Sequence, residues 1–192
     1  LGYALQLGEL NGVKIENMLE QNRQLRKQAE KAPLKEYGMI AVAAGDGLNS
    51  VFKDIDVDYI ISGGQTMNPS ANDIATAADQ VNAKNIFVFP NNKNIIMSAN
   101  QANDITDKNL IVIPTRSIPE GVSAVVAFDS QASIDENIEN MKSAIESVSS
   151  GSVTYAVRTT NVDGLDVTVG DIMGLDNHSV LTIGKNVADT TI

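Results

Sequence analysis

The chain is 192 residues long, carries a formal net charge of −10 and contains no cysteine. That acidic balance repels phosphate backbones and argues against a nucleic-acid partner. The missing thiols exclude a disulfide framework and a thiolate metal site and fit a reducing, cytoplasmic setting. An apolar content of 43 % supports a proper core, while no apolar run approaches the roughly 18 residues of a membrane span.

Residues 1–37 hold 6 basic and 5 acidic side chains and have little apolar surface. Leu1 to Leu10 reads as a short helix stopped near Asn11-Gly12, Val13 to Glu16 alternates like a strand, and Met18 to Ala32 is helix-prone until Pro33. The stretch reads as a leader or linker with the tail of an upstream domain. The absence of an initial Met and of a signal pattern makes the chain read as an excised fragment.

Residues 38–130 repeat a strand–loop–helix theme. The strands Met39–Ala44, Val57–Ser62, Asn85–Phe89 and Leu110–Ile113 are short and apolar on both faces, as buried parallel strands are. Between them, Asn72–Val81 and Ile95–Ile105 place apolar residues at helical spacing, and Ser117-Ile118-Pro119-Glu120 is a capping box opening a helix to Phe128. The alternation predicts an α/β fold, a doubly wound parallel sheet flanked by helices. Ligands bind such sheets outside the carboxyl ends of the strands. Those ends are Gly45-Asp46-Gly47, Ser62 to Asn68, Pro90 to Asn94 and Pro114 to Ser117. All are polar, as a binding edge requires and as ordinary turn chemistry also produces.

The loop Gly63-Gly64-Gln65-Thr66-Met67-Asn68-Pro69-Ser70 stands out. Its glycines admit backbone angles closed to other residues. Asn68 or Ser70 can cap the following helix, Pro69 suits its first turn, and Ser70 with Asp73 fits a capping box. Free N–H groups at such a helix start attract a carboxylate or phosphate. Arg116, at a strand tip, either pairs such an anion or bonds to Asp46 or Glu120. Met67 and Met97 read as core packing ahead of pocket lining.

Residues 131–192 change pattern. Ser133 to Glu136 is a capping box for a helix carrying Ile134, Ile138, Met141, Ile145 and Val148 on one face. Val153–Arg158 and Leu165–Val169 read as strands joined around Asn161–Gly164. Val180–Ile183 reads as a further strand, and Asn186–Ile192 as the start of a helix. These form a smaller α+β subdomain that must lean on the first. Residues 38–192 hold most of the acidic side chains, which either steer a basic protein partner or simply keep the chain soluble.

Catalytic motifs are missing. There is no P-loop and no G-x-G-x-x-G, and no His/carboxylate cluster has metal-ligand spacing. His178, the single histidine, sits in a turn-like run, which leaves no base–nucleophile pair for a hydrolase.

The stretches GYALQLGELNGVKIENM, AAGDGLNSVF, ISGGQTMNPS, VFPNNKNI and PTRSIPEG resemble the carboxyl-terminal region of the A component of bacterial fatty acid kinase (FakA), earlier described as dihydroxyacetone-kinase-like or phosphatase-like. The resemblance implies a DegV-like fold that docks the fatty-acid-binding B subunit, so that its fatty acid is phosphorylated to acyl-phosphate for phospholipid synthesis. ATP and magnesium are then bound by an upstream domain, with no cofactor and no catalytic residue here. Leu1 to Met18 becomes the tail of a central domain, and the smaller subdomain is truncated. In DegV-like proteins the loop equivalent to Gly63–Ser70 holds a fatty acid carboxylate. Here Gly63, Gly64, Gln65, Thr66, Asn68, Ser70 and Arg116 make a vestigial version of it. Candidate partner-binding acids are Asp46, Asp54, Asp56, Asp58, Asp73 and Glu120. The alternative is a small-molecule or fatty acid carboxylate site, or a phosphatase-like hydrolase.

Overall fold

A computed structural model describes residues 33–64, 67–162, 164–176 and 179–191. Four parallel strands form the main sheet: β1 (Lys35–Ala43), β2 (Tyr59–Ser62), β3 (Ala83–Phe89) and β4 (Asn109–Val112), in the order β2-β1-β3-β4. The helices between them are α1 (Asp46–Asp54), α2 (Ala71–Gln80) and α3 (Ile96–Ala102), followed by α4 (Ile118–Val126) and α5 (Ile134–Glu146). The α/β expectation holds.

The period of two along β1 and β3 builds both cores. Ile40, Val42, Ile86 and Val88 face α2 and α3, meeting Ile74, Ala78, Ile95 and Ala99. Met39, Ala41, Ala43, Phe87 and Phe89 face the other way, onto Phe52 of α1, Ala124 of α4 and Met141 of α5. Full burial of each large side chain contributes about 1.5–3 kcal/mol. Tyr37, Phe87 and Phe128 pack ring to ring with centroids 5.5–5.9 Å apart, and the Tyr37 hydroxyl donates to the Ala132 carbonyl at 3.0 Å. β1 therefore starts at Lys35, within the stretch read as leader.

Short β2 pairs with Ile40–Ala43 only. Beside the first half of β1, Asp58 takes the place of a strand. Its carboxylate accepts the Met39 N–H at 2.9 Å and the Lys35 ammonium at 2.6 Å.

α2 and α5 carry the expected capping boxes, Ser70 with Asp73 and Ser133 with Glu136. α4 carries half of one. The Ser117 side chain accepts the Glu120 N–H, while the Glu120 carboxylate turns to the Arg116 N–H at 2.6 Å. Pro69 lies before the Ser70 cap and outside the helix. α1 was not foreseen as a helix, because Gly45 and Gly47 frame its first residue and read as loop.

The pairing beyond α5 differs from expectation. β5 (Ser152–Tyr155), β8 (Ile172–Leu175) and β9 (Val180–Gly184) form an antiparallel sheet, and α6 (Val187–Thr191) lies on β8 and β9. β7 (Leu165–Val167) pairs with β6 (Thr160–Val162) in a separate hairpin. The expected partnership of the Val153 and Leu165 strands fails because the nearer β6 closes a tight turn with β7 through Gly164, at φ 84°.

Asp171 anchors this part. The Lys185 ammonium, and then the Thr168 N–H, hold its carboxyl below the usual aspartate range. A depressed folded pKa stabilises above the unfolded value, and that contribution is lost as pH falls through the folded one. Lys185→Met is therefore expected to raise the Asp171 pKa in a carboxyl NMR titration and to move local acid unfolding to higher pH. An unmoved titration would reject the pairing.

Candidate functional site

The chain passes from β2 back across β1 to β3, so the topological switch point lies between the carboxyl ends of β1 and β3. A cleft of about 340 Å³ opens there. Val42 and Ala44 follow from β1, Pro90 and Asn91 from β3, Ser117 and Ile118 from the start of α4, and Ser150 to Ser152 and Asp176 form the opposite wall.

The Gly-Gly loop reaches across this edge and closes on itself. Gly63 N–H donates to Ala43 O at 3.1 Å, Gly64 N–H to Met67 O at 3.0 Å, and Asn92 Nδ2 to Gly64 O at 2.6 Å. Gly64 has φ 100°, the left-handed region that favours glycine, whereas Gly63 does not. What constrains Gly63 is contact: a Cβ there would stand 2.8 Å from Met67 O. Gly64→Val is expected to cost about 1–2 kcal/mol by forcing a β-branched residue to positive φ. A melting temperature equal to the parent's would refute this.

Gln65 and Thr66 lie outside the described residues, as does His178. Asn68 is exposed and caps nothing; Ser70 is the cap. The Asp73 carboxylate accepts both the Ser70 N–H and the Ser70 hydroxyl, at 2.9 and 2.7 Å. These bonds, the hydroxyl's first, lower its pKa. The position an external anion would take at the start of α2 is thus held by the chain's own carboxylate. Glu120, 4 % exposed, turns its carboxylate instead to the Arg116 N–H just before the α4 cap.

Arg116 bonds to Glu120 through its backbone. Its guanidinium has no carboxylate partner among the described residues and lines both the cleft and a shallow groove beside α3, with Lys93, Met97 and Asp104. Met67 and Met97 are 79 % and 70 % exposed, correcting the expectation of core packing.

The six candidate acids do not form one patch. Asp46, Asp73 and Glu120 stand at the starts of α1, α2 and α4 on the cleft side, with Asp73 and Glu120 engaged in capping. Asp54 ends α1. Asp56 and Asp58 follow it at the opposite end of the sheet, in a groove with Tyr37, Val125 and Phe128. Among the described residues no group of three His, Asp or Glu converges as a metal site, and no helix is long and apolar enough to cross a membrane.

Sequence reasoning placed Asn91 in the Pro90 to Asn94 strand tip but did not single it out as a site residue. It sits at φ 56° and is 8 % exposed. Its N–H donates to the buried Thr115 hydroxyl and its Nδ2 to Val42 O, both at 2.9 Å. A Phe-Pro-Asn-Asn run leaving an apolar strand was the available signal.

"Protein YloV" of Bacillus subtilis is 45 % identical over 193 residues, covering 97 % of this chain and 35 % of the Bacillus protein. Uncharacterized proteins of Staphylococcus epidermidis and Staphylococcus haemolyticus are 39 % and 42 % identical, over 96 % and 94 % of the chain and 35 % and 34 % of their own lengths. The chain spans about a third of these relatives. The family model for the C-terminal region of FakA-like fatty acid kinase components matches residues 38–192, and the chain belongs to that family.

Proposed function

We propose that this chain is the docking domain of a fatty acid kinase, without catalysis of its own, and that it binds the fatty-acid-binding B subunit so that the bound fatty acid can be phosphorylated elsewhere in the full-length protein. The single observation that carries this over lipid binding is the occupied carboxyl edge. The Asp73 carboxylate takes the Ser70 N–H at the start of α2, the Glu120 carboxylate stands buried at the start of α4 on the Arg116 N–H, and the Gly63 and Gly64 N–H groups go to backbone carbonyls. A fatty acid carboxylate arriving there meets two carboxylates. ATP and magnesium belong, in this reading, to an upstream domain, and the setting is the cytoplasm.

Of the candidate acids, Asp46, Asp54 and Asp56 have no side-chain partner among the described residues and are the ones free to meet a basic surface. The test combines a pulldown with the B subunit and native mass spectrometry of this chain incubated with oleate. Capture without a lipid adduct supports docking. A one-to-one oleate adduct without capture favours the lipid-carrier alternative instead.

A further inference from the structure

β5 is an outer strand of its sheet, which runs in the order β5-β8-β9. Thr154 lies opposite Met173, and the Ala156 N–H donates to Asp171 O at 2.8 Å. Successive residues of an antiparallel strand send their backbone groups to opposite sides. Those of Val153 and Tyr155 therefore point away from β8, and they find no partner among the described residues. The strand is exposed along its length, Val153 by 39 % and Tyr155 by 63 %. The outer edge of β4 differs, because the Asn103 side chain there accepts the Leu110 N–H at 3.1 Å.

What fits the β5 edge follows from its own chemistry. Val153 and Tyr155 each offer an N–H and a C=O. A second copy of the strand, run antiparallel about a two-fold axis at Thr154, offers the same set in reverse order. Val153 of either copy then exchanges both backbone hydrogen bonds with Tyr155 of the other, and no outward group is left over. The same register sets the branched Val153 side chain across from the Tyr155 ring and Thr154 across from Thr154, both favourable cross-strand pairs. A net charge of −10 makes two copies repel, yet no charged residue lies between Glu146 and Arg158. β5 thus brings no charge against its own image.

We propose that β5 is a self-docking edge, through which two copies of this chain pair antiparallel at Val153 and Tyr155 and join their small sheets into one. The proposal goes beyond docking of the B subunit and does not depend on it.

Pairing over so short a strand makes a weak, reversible dimer, with a dissociation constant on the order of 0.1 mM. Sedimentation equilibrium of the chain from about 10 μM to about 1 mM is expected to show monomer passing to dimer. Added salt is expected to tighten the dimer by screening the repulsion between acidic copies, whereas it weakens docking of an acidic face to a basic partner. In a mixture of isotope-labelled and unlabelled chain, an intermolecular NOE between the α-protons of the two Thr154 residues is expected, since this register sets their α-carbons about 4.5 Å apart. Val153→Pro removes one outward N–H per copy and no bond to β8, a change that an edge strand tolerates. It is expected to raise the dissociation constant by about tenfold or more. Tyr155→Lys, which places a charge on the edge, is expected to do the same and keeps the test decisive if the proline variant does not fold. A chain that stays monomeric at about 1 mM overturns the proposal. So does a dimer that both variants leave intact, which would lie on another face. So too do Val153 and Tyr155 amides that shift only when the B subunit is added, which would make β5 the site of that partner's strand.

Discussion

Asp54→Lys combined with Asp56→Asn is expected to weaken binding of the B subunit by about tenfold or more, with the fold intact. Both acids lie at the end of the sheet away from the cleft, and neither is engaged in a cap or an ion pair among the described residues. Asparagine is chosen at position 56 because that residue sits at φ 64°, which Asn tolerates and β-branched residues do not. Charges at an interface rim act chiefly on association rate, and at 0.1 M salt the Debye length is about 10 Å. The parent's affinity is therefore expected to fall as salt rises, and the variant's to be nearly flat. Binding measured by calorimetry at low and high salt checks both. If the variant binds as the parent does while Asp46→Lys abolishes binding, the docking face is the cleft side. An affinity independent of salt in all three proteins would reject electrostatic docking altogether.

The second large effect concerns stability. Asn137 is fully buried in the first turns of α5. Its Oδ1 accepts the Asp129 N–H at 2.8 Å, and its Nδ2 lies within 2.8–3.3 Å of the carbonyls of Asp129, Ala132 and Ser133. One side chain thus satisfies the turn that leads from α4 into α5. Asn137→Ala removes these bonds and leaves backbone groups in a part-buried turn without partners, each costing about 1–3 kcal/mol. A loss of about 3 kcal/mol is expected, or roughly 6–12 °C in melting temperature for a chain of this size. Asn100→Ala, on the exposed side of α3, is the control and should stay within about 0.5 kcal/mol. Equal melting of the two variants would show that the Asn137 network does not bear on stability.

The parallel sheet was legible because its signal is local and redundant. Runs such as Ile40-Ala41-Val42 are apolar on both faces, and Ser70/Asp73 and Ser133/Glu136 announce their helices within four residues. The smaller sheet was less so. β5 is exposed along its length, and its pairing with β8 is long-range, so nothing near Val153 in sequence identifies Ile172–Leu175 as its neighbour. The site was half legible. The polar strand tips pointed to the right edge of the sheet. What sequence cannot convey is which polar groups are already satisfied by their own chain. Asp73 and Glu120 read equally well as surface charge for a partner, yet each is bound to backbone at the start of its helix, Ser70 and Arg116, while Asn91, unremarkable in sequence, keeps a buried acceptor unpaired.

Asp58 carries a consequence for self-association. An incompletely covered strand offers N–H and C=O groups to any extended chain that drifts alongside, the usual route to edge-to-edge aggregation. The half of β1 that short β2 leaves uncovered, Lys35 to Met39, is such a place. A single carboxylate occupying the Met39 N–H and drawing Lys35 over it turns that opening into a charged, dead-ended edge. Asp58 therefore guards against the wrong partner, another copy of the same strand, whichever surface receives the right one.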